Sequence, residues 1–199
     1  AQGPAEQLSL TTNTQPAMLT AGVAMYEAWR AAGGPAASMM AGHSLGEYAA
    51  LTAAGSLSLA DAVRLVRIRA DAMQAAVPVG TGAMAAVLGL DDDSVRKACE
   101  QGAEGEIVEA MNFNAPSQVV IAGHVAAVER AMVAAKALGA KRAVLLPVSA
   151  PFHSSLLKPA AAVLSEALSQ VTVNTPNVAV INNVDVAIEQ DPAKIRDAL

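Results

Sequence analysis

Ala41-Gly42-His43-Ser44-Leu45-Gly46-Glu47 decides how the rest of the chain is read. The pattern is G-x-S-x-G. A short apolar run from Ala37 to Ala41 leads in, and a helical, alanine-rich run from Leu45 to Ala54 follows. A strand that enters a helix through so tight a turn forces the middle residue into a strained conformation, with its side chain standing clear. Gly42 and Gly46 are expected because a Cβ at either would crowd the adjoining strand and helix. Ser44 then sits at a helix N-terminus, where the Leu45 N–H and the helix dipole can stabilise an oxyanion. The plain alternative is a glycine-flanked serine cap without chemistry, since the pentapeptide alone is a weak signal.

Composition narrows the class. A chain of 199 residues suits one large domain, or one domain carrying a small insert. Hydrophobic residues make up 53% and charged residues 16%, enough for a sizeable core and far from a disordered composition. Aromatic residues are only 3%, so Ala, Val, Leu and Met fill that core and helices are expected to pack closely. A net charge of −5 argues against nucleic acid as the main partner, while still permitting a local basic patch for an acidic protein. No apolar run reaches the ~20 residues of a membrane span, and no signal peptide is visible. The single Cys99 cannot form an internal disulfide, which fits a reducing, cytoplasmic setting. Its position beside Val95 and Ala98 in an Asp-capped helix marks it as a buried structural thiol. The chain starts without Met and stops at Asp197-Ala198-Leu199, inside what reads as a helix, so a fragment is expected.

In chain order, residues 1–13 read as a polar linker, and Thr14-Gln15-Pro16 as the start of a helix running to about Ala32. On that helix Leu19, Val23 and Tyr26 share one face and Met18, Met25 and Trp29 another, so cover on most sides is expected. The serine turn and its helix come next. Ser58-Leu59-Ala60-Asp61 is a capping box for a further helix, with Arg64, Arg67, Asp71 and Gln74 in one solvated stripe. From residue 80 the pattern becomes strand Ala83 to Leu88, helix Asp92 to Gln101, strand Ile107 to Met111, strand Gln118 to Ala122, helix His124 to Leu138 and strand Ala143 to Val148. That β-α-β-β-α-β order is the ferredoxin-like arrangement, inserted into a larger domain. After Ser149-Ala150-Pro151-Phe152-His153-Ser154 come a helix from about Pro159 to Gln170 and a strand from Val178 to Ile181.

Two further residues carry chemical information. Arg69 lies on the apolar side of its helix, between Leu65 and Met73, where a guanidinium needs an anionic partner or must reach out to water. An internal salt bridge and an anionic ligand both stay open. A nucleophilic serine also needs a base. Of the three histidines, His43 adjoins Ser44 and should diverge from it, and His124 begins a helix, where a capping or surface role suits it. His153, in a Pro-flanked loop after the inserted segment, is favoured.

Taken together, Gly42-His43-Ser44-Leu45-Gly46-Glu47-Tyr48 resembles the nucleophile motif of the malonyl-CoA:acyl carrier protein transacylases, the FabD-type acyltransferases. Asn13-Thr14-Gln15-Pro16 resembles that family upstream. Gly82-Ala83-Met84-Ala85-Ala86-Val87, Asn112-Phe113-Asn114-Ala115-Pro116, Gln118-Val119-Val120-Ile121-Ala122-Gly123 and Asn182-Asn183-Val184-Asp185 resemble it downstream. The resemblance covers nearly the whole chain in order.

The resemblance implies an α/β fold: an α/β-hydrolase-like core (residues 1–79 and 150–199) with a ferredoxin-like βαββαβ subdomain inserted (residues 80–149). It implies that Ser44 carries a malonyl ester and that His153 is base and then acid. Arg69 would hold the malonyl carboxylate, the Leu45 N–H would supply one oxyanion donor, and Asn114 would line the site near the acyl group. Phe152, just before the base, resembles the bulky residue that favours malonyl over methylmalonyl groups. No metal or cofactor is implied beyond the two substrates, malonyl-CoA and the phosphopantetheine-bearing acyl carrier protein. A cytoplasmic monomer serving fatty acid synthesis is the expectation. The family's N-terminal Gly-Gln-Gly loop and its C-terminal glutamine and Gly-Pro-Gly segments have no counterpart in these 199 residues, so truncation at both ends is expected. Other readings are a serine esterase or thioesterase, for which Asp91, Asp92 and Asp93 make poor triad acids, and a non-catalytic docking module.

Overall fold

A computed structural model describes residues 3–78, 80–148 and 150–199. Ala1, Gln2, Val79 and Ser149 lie outside the described residues, and so therefore do the expected domain boundaries at 79 and 149. The chain forms two compact units, Ala1–Asp71 with Ala162–Leu199, and Ala72–Ala161. The second unit is longer than the expected 80–149 and takes in Phe152 and His153. Among the described residues no helix is long and apolar enough to cross a membrane.

In the first unit, α1 (Ala5–Leu8) and α2 (Thr11–Ala31) occupy much of the stretch expected to be a linker. Polar side chains explain the earlier start. Asn13 Nδ2 donates to the Gln7 carbonyl at 2.9 Å, and the Thr14 hydroxyl donates to the Leu8 and Leu10 carbonyls. Pro16 therefore lies inside α2 rather than in its first turn. Of the two apolar faces expected on α2, Leu19 and Val23 are buried, whereas Met18, Met25 and Trp29 are exposed. The Trp29 ring folds over Gly34 and donates to the Pro35 carbonyl at 3.3 Å.

Strand β1 (Met39–Ala41) leads into α3 (Leu45–Ala53), and α4 (Leu59–Ala75) follows Gly55, whose φ is 77°. The capping box forms, with the Asp61 N–H donating to Ser58 Oγ at 3.1 Å. The core of this unit joins Leu19 and Val23 to Tyr48, Leu51, Leu65 and Val66, with Leu164, Leu168, Val180 and Ile195 from the C-terminal part of the chain.

In the second unit, β2 (Gly82–Leu88), α5 (Asp92–Ala103), β3 (Val108–Ala115), β4 (Gln118–His124), α6 (Val125–Ala137) and β5 (Arg142–Leu145) follow in turn. The four strands pair antiparallel in the order β3-β4-β2-β5. β3 runs past the expected Met111 because Pro116 and Ser117, the latter at φ 60°, turn the chain directly back into β4. One sheet face buries Ala85, Val87, Val119 and Ile121 under Val95, Ala98 and Cys99 of α5 and Val128 and Ala131 of α6. The two helices meet closely: a Cβ at Gly102 would stand 2.5 Å from the Ala131 nitrogen. The other face carries Met84, Val120 and Ala122, against which Phe152 packs.

A 3₁₀ turn (Ser155–Leu157) leads into α7 (Lys158–Ser169). The chain ends, back in the first unit, with β6 (Ala179–Ile181) and α8 (Pro192–Ala198). β6 pairs parallel with β1, Ala41 opposite Ile181.

Candidate active site

Ser44 adopts φ 51° and ψ −108°, a conformation L-residues avoid unless their surroundings enforce it. Gly42 is part of the enforcement, because a Cβ there would lie 2.0 Å from the Gly46 carbonyl group. Gly46 differs from expectation: among the described residues nothing lies within 4 Å of the Cβ it lacks. At the start of α3 the Gly46 N–H donates to the His43 carbonyl at 2.9 Å and the Glu47 N–H to the Ser44 carbonyl at 3.1 Å. The Ser44 N–H donates to Asn183 Oδ1 at 3.2 Å. The Leu45 N–H, between these, has no protein acceptor among the described residues, as is usual in a helix's first turn.

Arg69 reaches this turn from α4. Its Nη2 donates to Ser44 Oγ at 2.9 Å and its Nη1 to Gln15 Oε1 at 2.8 Å. Gln15 is buried and donates from Nε2 to Thr11 Oγ1 at 3.0 Å. The guanidinium carbon lies 5.6 Å from the centre of the buried Tyr48 ring, in cation–π range. Burial pulls the Arg69 pKa below the usual arginine value, against the opposing pull of Tyr48 and Glu47. Burial likewise pushes the Tyr48 phenol up to about 12. Among the described residues no carboxylate forms an ion pair with Arg69; its partners are neutral oxygens. The internal salt bridge left open by the sequence is therefore absent among them. The arginine is a half-buried cation held in place beside the serine by hydrogen bonds.

The sequence alone assigns no role to Asn183 or Glu47. Glu47 is buried at 5% exposure, and burial raises its pKa despite hydrogen bonds from Asn183 that favour the charged form. The Asn183 side chain donates to the Gly42 carbonyl at 2.7 Å and also to Glu47 Oε2. The only available signal is Asn182-Asn183 directly after an apolar strand, and it does not indicate a partner 139 residues away.

His153, Phe152 and Asn114 belong to the second unit. His153 has φ 69° in a tight turn. There the Ser154 hydroxyl donates to the Pro151 carbonyl at 2.7 Å, and the Ser155 N–H donates to Glu109 Oε2 at 2.7 Å. Phe152 is half-buried. Asn114 is exposed on the edge strand β3, at a register shift between Phe113 and Ala115 that breaks the strand's alternation. His124 Nδ1 accepts the Ile107 N–H at 3.0 Å, a structural engagement. Asp91 caps α5, accepting from the Ser94 N–H at 2.8 Å and hydroxyl at 2.9 Å, while Asp93 pairs with Arg96 at 3.1 Å.

A family model for the acyl transferase domain matches residues 1–195. The malonyl CoA-acyl carrier protein transacylase of Escherichia coli (strain K12) is 61% identical over 198 residues, which is 100% of this chain and 64% of that protein. The crystal structure of an acyl-carrier-protein S-malonyltransferase from Burkholderia pseudomallei 1710b matches with a TM-score of 0.97 at 62% identity, covering 100% of this chain and 64% of that one. A type II PKS acyl-carrier protein in complex with its malonyl-transacylase also matches, with a TM-score of 0.97 at 53% identity over 99% of this chain and 64% of that one. The chain thus spans 64% of the length of these relatives.

Proposed function

Since the chain belongs to the acyl transferase domain family, we propose that it transfers malonyl groups from malonyl-CoA to the phosphopantetheine thiol of acyl carrier protein. One observation carries the reading: a half-buried guanidinium, paired with no carboxylate among the described residues, donates directly to the hydroxyl of a strained elbow serine. A cation so placed suits an acyl group that ends in a carboxylate.

The reaction runs in two half-reactions. Ser44 Oγ attacks the thioester carbonyl and gives its proton to the His153 imidazole. The tetrahedral oxyanion is stabilised by the Leu45 N–H, at the positive end of α3. The C–S bond then breaks, and CoA leaves as the thiol with the proton from His153. In the second half-reaction the phosphopantetheine thiol loses its proton to His153 and attacks the Ser44 ester. Collapse returns the proton to Ser44 Oγ. Arg69 holds the malonyl carboxylate throughout, in a planar two-oxygen contact that only a guanidinium can match. Asn114 lines the acyl site, and Phe152 sets the room at the α-carbon. The chemistry requires no metal or organic cofactor of the protein's own.

Under the same reading the first unit is an α/β-hydrolase-like core, supported by the parallel β1–β6 pair and the strand-to-helix elbow. The second is a ferredoxin-like subdomain, supported by the strand order β5-β2-β4-β3 and two helices on one sheet face. The proposed limits are 1–79 with 150–199 for the core and 80–149 for the subdomain, the latter lying within the compact unit Ala72–Ala161. The protein acts as a cytoplasmic monomer in fatty acid synthesis and meets acyl carrier protein transiently, with neither nucleic acid nor membrane as partner.

Mass spectrometry after mixing with malonyl-CoA tests the reading. A malonyl adduct on Ser44 that disappears on adding acyl carrier protein is expected. Free malonate without transfer would make the protein a hydrolase, and no reaction would make it a docking module.

A further inference from the structure

We propose that Asn183 is a positioning residue for the nucleophile, its side-chain amide clamping the strained Ser44 backbone while the Glu47 carboxylate fixes the amide's orientation. This rests on the reading of Ser44 as nucleophile. β1 and β6 run parallel and end side by side, with Ala41 opposite Ile181, so residue 183 meets residues 42–44 just beyond the strands. Asn183 Oδ1 accepts the Ser44 N–H at 3.2 Å, and Nδ2 donates to the Gly42 carbonyl at 2.7 Å. One amide thus ties the chain on both sides of His43. Which end of the amide faces which partner is decided by Glu47. Its Oε2 accepts from Asn183 Nδ2 and from the Asn183 N–H at 3.0 Å, and a carboxylate can only accept. Oδ1 is therefore left for the Ser44 N–H.

The clamp has two consequences for the chemistry. It holds the backbone at φ 51°, which a free serine would leave. It also occupies the Ser44 N–H, so that at the elbow the Leu45 N–H remains for the oxyanion. Asn183 acts on the reaction through Ser44's backbone and not by contact with Ser44 Oγ.

The test uses two readouts: the rate at which phenylmethylsulfonyl fluoride sulfonylates Ser44, and kcat and KM for malonyl transfer. Sulfonylation needs no acyl substrate, so it reports elbow geometry independently of the transacylase reading. Asn183→Ala should slow both sulfonylation and kcat by about 10- to 100-fold, the scale of an ångström-sized misplacement, with KM for malonyl-CoA nearly unchanged. Asn183→Asp should be worse, since its carboxylate would face that of Glu47. Adding Glu47→Gln to Asn183→Asp should restore part of both rates, because the introduced glutamine amide can donate to the introduced carboxylate. Should Asn183→Ala fail to fold, the comparison of Asn183→Asp with the double variant decides. Unchanged sulfonylation in folded Asn183→Ala, or a double variant no better than Asn183→Asp, would overturn the clamp. A wild-type protein sulfonylated at Ser44 but inert toward malonyl-CoA would overturn the transacylase reading alone. One neither sulfonylated nor malonylated at Ser44 would overturn both.

Discussion

Arg69 Nη2 donates to Ser44 Oγ across 2.9 Å, joining a cation in the middle of α4 to a serine 25 residues earlier in the chain. The other nitrogen of the fork is held by Gln15 Oε1 at 2.8 Å, so the guanidinium plane is already set beside the hydroxyl. Malonyl and acetyl groups differ by one carboxylate, and a shielded charge pair discriminates by ~2–5 kcal/mol. Arg69→Ala is expected to depress acylation by malonyl-CoA strongly and to leave acetyl-CoA nearly unaffected. Arg69→Lys should recover only part of the malonyl rate, because an ammonium cannot match both carboxylate oxygens in plane. The measurement is kcat/KM for both thioesters on the three proteins. Equal losses for both would make Arg69 a structural residue.

The two glycines of the elbow should separate on mutation. Gly42→Ala would drive a Cβ to 2.0 Å from the Gly46 carbonyl group and 2.5 Å from the Glu47 nitrogen, so backbone must move. A cost of ~1–3 kcal/mol is expected for such overpacking, with Tm falling by roughly 2–4 °C per kcal/mol and sulfonylation of Ser44 slowed. Gly46→Ala meets nothing within 4 Å among the described residues and replaces a glycine inside α3. It should hold or raise Tm, because alanine is the better helix former by up to ~1 kcal/mol. Thermal melts of the two variants check this; similar losses would refute it.

Glu47 gives stability a pH dependence of known sign. Burial raises its folded-state pKa above the ordinary carboxylate value. The folded protein therefore keeps the proton to higher pH than the unfolded chain does. Its contribution is fully present below the ordinary carboxylate pKa and is lost as pH rises through the raised value. Glu47→Gln removes that loss while still accepting from Asn183. The Tm of the variant relative to wild type should thus be higher at about pH 7 than at about pH 4. A difference that stays flat across that range would mean the hydrogen bonds from Asn183 fully offset burial.

Much of this is legible in local pattern. The serine elbow, the Ser58 capping box and the six elements from residue 82 to residue 145 follow from apolar periodicity and turn chemistry. Arg69 stands out because a charge on an apolar stripe demands an explanation. What local pattern misses is long-range or compensated. Pro16 reads as a helix start, yet Asn13 and Thr14 bond back to the Gln7, Leu8 and Leu10 carbonyls and let α2 begin earlier. The Asn183 clamp depends on the parallel pairing of β1 with β6, which no window of sequence contains. Gly46 reads as obligatory by symmetry with Gly42, but only Gly42 is pressed against backbone.

Cys99 should be inert in the folded protein. It is buried between α5 and the sheet at 4% exposure, and burial, with Glu109 and Glu100 adding to it, pushes the thiol up to about 12. The thiolate is the reacting species, so both access and ionisation are denied. A disulfide reagent such as 5,5′-dithiobis(2-nitrobenzoate) should label it only as fast as the second unit opens, with the rate rising in step with denaturant. Rapid labelling under native conditions would contradict the packing.

Phe152 offers the test of acyl size. Its N–H donates to the Ala150 carbonyl at 2.9 Å, and the chain is pinned on either side by Pro151 against Gly82 and by the Ser154 hydroxyl on the Pro151 carbonyl. The ring packs against Met84, Val120 and Ala122 and against Met73, Val77 and Leu157, so its direction is set by apolar neighbours. Under the proposed transacylase reading, Phe152→Ser should open room for an α-methyl group. The kcat/KM for methylmalonyl-CoA relative to malonyl-CoA should rise by an amount equivalent to ~1–3 kcal/mol, the scale of one methyl group in an apolar pocket. Loss of ring packing should lower Tm as well, and Phe152→Leu, which keeps much of the apolar volume, should lower it less and shift the ratio less. A falling Tm with an unchanged ratio would leave Phe152 as a packing residue and place the control of acyl size elsewhere.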